Sequence, residues 1–363
     1  MYTRQTPFYT RLTYTLISLV IIIYGLYILK DVVVPLVFSV LLSILLLPLT
    51  QRLERWGIPR GISITLTIII TLGVLSGFFY LIYAQIISLE EVLPQLQEKS
   101  EVWIRDIQTF IRRNFHISRT KQNAEGQKYL TEFLKNNSNL FTNTLSTTTN
   151  FLGNLTLIPL YVFLLLLYRD FLRVFLYKLF SSVSHPRIDV VLRQVKNVVI
   201  DYVVGLVFVV GIIGTLNTIG LWIIGIDHAI FFGFFAAVLV LVPYIGIAIG
   251  SILPIMMALI TKSPIHAVGV AAIFGGVQLL EGNFITPYIV GSKVSINSMA
   301  AIIVLILFGN LWGISGLVLA LPLTAIIKVI FDNYEPTKPF GFLIGDADHI
   351  DVERKRKRPD LKF

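Results

Sequence analysis

In the stretch Val277-Gln278-Leu279-Leu280-Glu281-Gly282-Asn283-Phe284-Ile285-Thr286-Pro287, one carboxylate stands inside an otherwise apolar run. An acidic side chain in hydrocarbon is costly and by default marks a substrate or ion pathway. Glu281 can take up and release a proton or hold a cation, while Gln278 and Asn283 on the adjacent turns can hydrogen-bond a hydroxylated solute. The competing reading is structural: Glu281 caps a broken helix, or pairs with Lys262, Lys293 or a neighbouring subunit. Asn217, Asn310 and Ser315 could line the same path, although Asn and Ser also join helices to one another in membranes.

Other chemistries fit poorly. His116, His185, His228, His266 and His349 never pair at metal-ligand spacing, so neither a metal nor another cofactor is expected. Gly313-Ile314-Ser315-Gly316 resembles the nucleophile motif of rhomboid-type intramembrane proteases. Such a serine needs a base, and no histidine lies in the interior of an apolar run. No Gly-rich loop is followed by Lys-Ser or Lys-Thr, so ATP does not drive the protein directly. The chain is not expected to be an enzyme.

These residues must be positioned by membrane helices. Of 363 residues, 55% are hydrophobic and 14% charged, and there is no cysteine; a soluble domain would carry about 25% charged residues. Apolar runs cover 12–29, 32–49, 61–87, 151–168, 200–224, 229–260, 265–290 and 299–331, each long enough for the roughly 20 residues a bilayer demands. The expected fold is an all-α integral membrane protein with about eight transmembrane segments. Lys30 and Asp31 separate the first two runs so narrowly that a tight hairpin is expected there.

The net charge of +9 sits between apolar runs, as topology signals do, and does not point to nucleic acid. Segments 50–60 and 169–196 are basic, and the tail carries Arg354-Lys355-Arg356-Lys357-Arg358, which places all three in the cytoplasm near anionic lipid. Segment 90–149, with eight basic and seven acidic residues, is nearly neutral and belongs outside. The chain thus divides into N-terminal transmembrane helices (1–89), an extracytoplasmic amphipathic helical segment (90–150), a fourth span with a basic cytoplasmic loop (151–199), a transport region (200–335) and a basic cytoplasmic tail (336–363). Both termini are expected in the cytoplasm.

Two late runs are too long for simple spans: the 32 residues of 229–260 would extend about 48 Å as one helix. Pro243, Gly246, Gly250 and Pro254 are the expected helix breaks in the first, and Gly313, Gly316 and Pro322 in the second. Non-helical backbone at membrane depth requires protein or a wet cavity around it, so a mid-bilayer pocket is expected. Asn217 and Gly225 recur 66 residues later as Asn283 and Gly291, and Pro254 recurs 68 later as Pro322. The spacing points to an internal repeat of one helix followed by an interrupted one, the pattern that flags a transporter binding site.

Arg52-Leu53-Glu54-Arg55-Trp56-Gly57-Ile58-Pro59-Arg60-Gly61, Val242-Pro243-Tyr244-Ile245-Gly246, the Gln278 to Gly291 stretch and Gly313 to Pro322 together resemble the autoinducer-2 exporter family of bacterial permeases over residues 10–335. The resemblance implies a homo-oligomer of the bacterial inner membrane that exports a small polar solute such as autoinducer-2. It places the family's acidic residue at Glu281 and its structural residues at Pro243, Gly246, Pro287, Gly291 and Pro322. The expected activity is therefore secondary transport driven by a proton or sodium gradient, with membrane lipids as surroundings. A sodium–proton antiporter and a non-transporting membrane scaffold are the alternatives.

Overall fold

The computed structural model describes residues 7–90, 157–240, 245–286, 288–289 and 295–346. The external segment expected over 90–150 lies outside the described residues apart from Glu90, as do Pro243, Pro287, Gly291, Lys293 and the basic tail. The described chain is helical almost throughout, and five of its helices are long and apolar enough to cross a membrane.

Helix α1 (Phe8–Ile28) leads into α2 (Lys30–Arg55) through the single residue Leu29. The tight hairpin expected at Lys30-Asp31 does not form. Leu29 N–H bonds to the Gly25 carbonyl at 2.9 Å, and the Leu29 carbonyl accepts from Val33 at 2.9 Å, so the helical ladder runs through a bend. One charged pair can sit on a helix without reversing it; a reversal needs residues free of the ladder.

Helix α2 ends in a Schellman cap. Gly57 takes φ +85°, its N–H bonds to Glu54 O, and the Ile58 N–H reaches back to Leu53 O. The chain then starts α3 (Arg60–Glu90), which packs with α2 and α4 (Leu157–Leu167) around Ile64, Ile158, Val162 and Leu166. A bend at Tyr168 leads to the amphipathic α5 (Arg169–Leu179). Two ion pairs clamp this corner to the α2–α3 turn: Arg169 to Glu54 and Asp170 to Arg60, both at 2.6 Å.

The central element is α6 (His185–Ile224), 40 residues long, which spans about 60 Å. It ends at Gly225, left-handed at φ +76°. Helices α7 (Ala229–Leu239) and α8 (Ile245–Thr261) then form a hairpin. A Cβ on Gly246 would overlap the Leu239 carbonyl, and one on Gly250 would lie 2.6 Å from Ala236 Cβ. Both hairpin ends lie at the α6 C-terminus, where Lys262 Nζ comes within 3.6 Å of the place a Gly225 Cβ would take.

Helix α9 (Pro264–Leu280) returns antiparallel to α6. A Cβ on Gly220 would lie 2.5 Å from Ile273 Cγ2, and one on Gly269 3.0 Å from Ile224 Cδ1. The second hairpin, α10 (Ser298–Trp312) and α11 (Ile314–Asn333), turns at Gly313 with φ +63°. A Cβ on Gly316 would overlap the Phe308 carbonyl. Its two ends lie at the α6 N-terminal half. Asn333 Nδ2 donates to Gln194 Oε1 at 2.7 Å, Arg187 Nη2 to Asn333 O at 3.1 Å, and Asn297 Nδ2 to Leu343 O and Gly345 O at the short α12 (Lys338–Ile344).

Each late unit is therefore one rod followed by a hairpin. The units run in opposite directions, and their hairpins enter from opposite ends of α6, the inverted arrangement common among transporters. Four expected breaks are corrected: Gly250 and Pro254 lie inside α8, and Gly316 and Pro322 inside α11. A proline removes one ladder bond, a loss that membrane helices tolerate when neighbours re-satisfy the freed group. Gly250 and Gly316 permit close approach of the facing helix. The reversal falls at Gly313 in the second hairpin, and the joint of the first lies outside the described residues.

Candidate functional site

At the end of α9 the helix widens into a π turn, Glu281–Ile285, with the Thr286 N–H bonding to the Glu281 carbonyl five residues back. π turns inside α-helices often mark functional sites. Here the turn gathers polar groups onto one carboxylate. Gln278 Nε2 donates to Glu281 Oε2 at 2.7 Å, and Thr286 Oγ1 donates to Glu281 Oε1 at 2.6 Å. The carboxylate is half-buried, and among the described residues it has no ion pair.

Lys262 cannot be its partner within the chain, because it lies beyond the opposite end of the 17-residue α9, about 28 Å away along the helix. The α6–α9 register brings Glu281 to the level of residues 209–213 of α6, where Ile213 and Val277 share one apolar cluster. That level is close to the middle of the apolar 200–224 stretch of α6. Hydrogen bonding gives Glu281 two donors, and among the described residues it meets no counter-charge.

The other expected residues take different places. Asn283 is exposed and donates to Leu279 O, and Asn310 is exposed and donates to Ile306 O, each four residues back on its own helix. Ser315 is half-buried in the first turn of α11. No hydrogen bond among the described residues joins any of these three to Glu281. Asn217 is fully buried on α6, and neither of its amide atoms has a partner among the described residues.

Among the described residues, two hollows stand out. One, about 420 Å³, lies between α6 and α7 at the depth of Glu281 and is walled by Phe208, Ile212, Phe234 and Thr215 among others. The second, about 300 Å³, lies where α6 meets the end of α11 and is lined by Gln194, Asn197, Asp201, Asp332 and Asn333 with two valines. Lys328 pairs with Asp332 at 2.6 Å, which leaves Asp201 as the lining carboxylate without an ion pair among the described residues. Sequence reading missed both Thr286 and this hollow. A signal for the hollow existed: Gln194, Asn197 and Asp201 recur at helical spacing just before the apolar stretch.

Beyond the hollow, the α5–α6 corner is tied by charge. Arg173 donates to both Asp189 oxygens at 2.9 and 2.6 Å, and Tyr177 O–H donates to Asp189 Oδ1 at 2.6 Å. These donors hold the Asp189 carboxyl below its ordinary range, first through Arg173 and then through Tyr177.

A multi-pass helical membrane protein with opposed hairpins and a carboxylate in a π turn near the end of one apolar helix belongs to the class of transport proteins. A family model described as AI-2E family transporter matches residues 16–336, so the chain belongs to that family. It is 25% identical over 320 residues to "Putative transport protein YrrI" of Bacillus subtilis (strain 168), covering 85% of this chain and 88% of that one. It is 24% identical over 334 residues to "Putative transport protein YhhT" of Escherichia coli (strain K12), covering 91% and 93%. It is also 24% identical over 336 residues to "AI-2 transport protein TqsA" of Escherichia coli (strain K12), covering 91% and 94%.

Proposed function

We propose that this transporter family member is a secondary exporter of a small polar solute, such as the autoinducer-2 that its relative TqsA is named for, coupled to a proton or sodium gradient. The observation that carries the reading is the Glu281 carboxylate, in a π turn level with the middle of the α6 apolar stretch, with two donors and no counter-ion among the described residues. A carboxylate of this kind binds a proton or cation reversibly, whereas one locked in an ion pair would not. The hollow beside Asp201 is the inner mouth, on the cytoplasmic side assigned by the basic loops, and Asn217, Asn283, Asn310 and Ser315 serve the solute path. The protein works in the bacterial inner membrane as a homo-oligomer with both termini inside, and it is not an enzyme.

Proteoliposomes loaded with autoinducer-2 test this. Glu281→Gln should abolish gradient-driven flux while leaving assembly intact, and unchanged flux would refute the role. A sodium–proton antiporter is the second reading, favoured by the Thr286 hydroxyl oxygen 2.6 Å from the Glu281 carboxylate, since hard cations prefer oxygen ligands. Sodium added to vesicles carrying a pH dye would then release protons with no organic solute present.

A further inference from the structure

Asn217 is the one fully buried carboxamide of α6, and both its Nδ2 and Oδ1 lack partners among the described residues. Its surroundings explain the isolation. On one side of it, Gly214 and Thr218 face α7: a Cβ on Gly214 would lie 2.7 Å from Phe234 Cδ1, and one on Gly233 would lie 2.7 Å from the Thr218 nitrogen. On the other side, Gly220 and Ile224 face Ile273 and Gly269 of α9. At 3.6 residues per turn, Asn217 falls between these two stripes. It therefore sits at the seam where α6, α7 and α9 meet, with Ile213 one turn below and Leu221 one turn above, both fully buried.

An amide with neither hydrogen bond made is destabilising in such a place, and a leucine would fit the surrounding apolar wall better. Packing alone does not account for the residue. A carboxamide offers a donor and an acceptor side by side, which suits a hydroxyl group that both gives and takes a hydrogen bond. We propose that Asn217 is a hydrogen-bonding site for the hydroxyl of a small polar guest that reaches the seam between α6, α7 and α9. The guest is either the transported solute or a water molecule. The inference rests on the transport reading for the first source and stands without it for the second.

The native chain has no cysteine, so Asn217→Cys carries the single thiol of the protein. In native membranes, a small charged methanethiosulfonate should modify that thiol, and excess autoinducer-2 should slow the modification if the solute is the guest. Modification unaffected by autoinducer-2 assigns the guest to water. A thiol that stays inert until the protein is denatured overturns the proposal. Asn217→Leu gives an independent arm: without solute, its thermal midpoint should rise by a few degrees if the solute is the guest, because an unpaired polar group has been removed, and should fall if a resident water already bonds the amide. A lowered midpoint with a thiol that stays inert would mean that the amide is bonded within the protein, and would overturn the site. Failure of autoinducer-2 flux in wild-type vesicles would bear on the transport reading alone, since the thiol and the melting curve do not depend on it.

Discussion

Thr286 Oγ1 lies 2.6 Å from Glu281 Oε1 although the two residues are five apart in sequence. On a regular α-helix a five-residue step turns the side chains about 140° away from each other, and only the wider π turn brings them to one side. The widened turn is thus what gives the carboxylate its second donor.

Removing that donor should weaken transport without dismantling the helix. Thr286→Val is expected to lower the initial rate in proteoliposomes about tenfold, the effect of one lost charge-assisted hydrogen bond. Thr286→Ser keeps a hydroxyl and should restore most of the rate. Equal rates for Val and Ser would show that the hydroxyl does not matter.

The two ion pairs at the α2–α3 turn should differ in weight. Arg169 and Glu54 have side chains only 24% and 20% exposed, whereas Asp170 is 71% exposed. Glu54→Gln should therefore cost about 1–3 kcal/mol, since it leaves a sheltered guanidinium short of its partner. Asp170→Asn should cost ~0.5 kcal/mol or less. Thermal midpoints in detergent would rank the two, and the reverse order would count against the clamp.

At the α5–α6 corner, the pH response follows from Asp189. Its folded carboxyl titrates below the ordinary value of 3.8, held there first by Arg173 and then by Tyr177. The tie is therefore complete above that value and is lost only as pH falls through the lower folded one. Hydrogen exchange over residues 173–189 should stay slow down through the usual carboxylate range. Asp189→Asn should exchange faster at neutral pH and show no such acid transition.

The hairpins make a prediction about glycine. A Cβ on Gly316 would overlap the Phe308 carbonyl, while nothing lies within 4 Å of one on Gly276. Gly316→Ala should cost about 1–3 kcal/mol by forcing α10 and α11 apart. Gly276→Ala should leave the thermal midpoint and the elution profile unchanged. Equal behaviour of the two variants would mean that the close approach is not needed.

Much of this architecture can be read from residue order. The apolar runs fall on the helices, the late runs prove to be two-part, and Glu281 stands out as the single carboxylate of its apolar run. What stays hidden depends on geometry that spacing does not encode. Lys30-Asp31 looks like a turn, yet the ladder continues through Leu29. Pro254 and Pro322 look like breaks, yet the chain reverses elsewhere, at Gly313 in the second unit. Thr286 escapes notice because helix-period reasoning places it away from Glu281. The partners of Glu54 and Arg60 lie more than 100 residues away, beyond the reach of any local pattern.

Helix α6 is 40 residues long, about 60 Å, or roughly twice the hydrocarbon thickness. The half that starts at His185 precedes the apolar 200–224 stretch and is placed like a handle. A push applied near His185 from the aqueous side would tilt the rod and be delivered to the packing at its far end. Molecules that never enter the bilayer could thereby bias what happens inside it, by leverage alone.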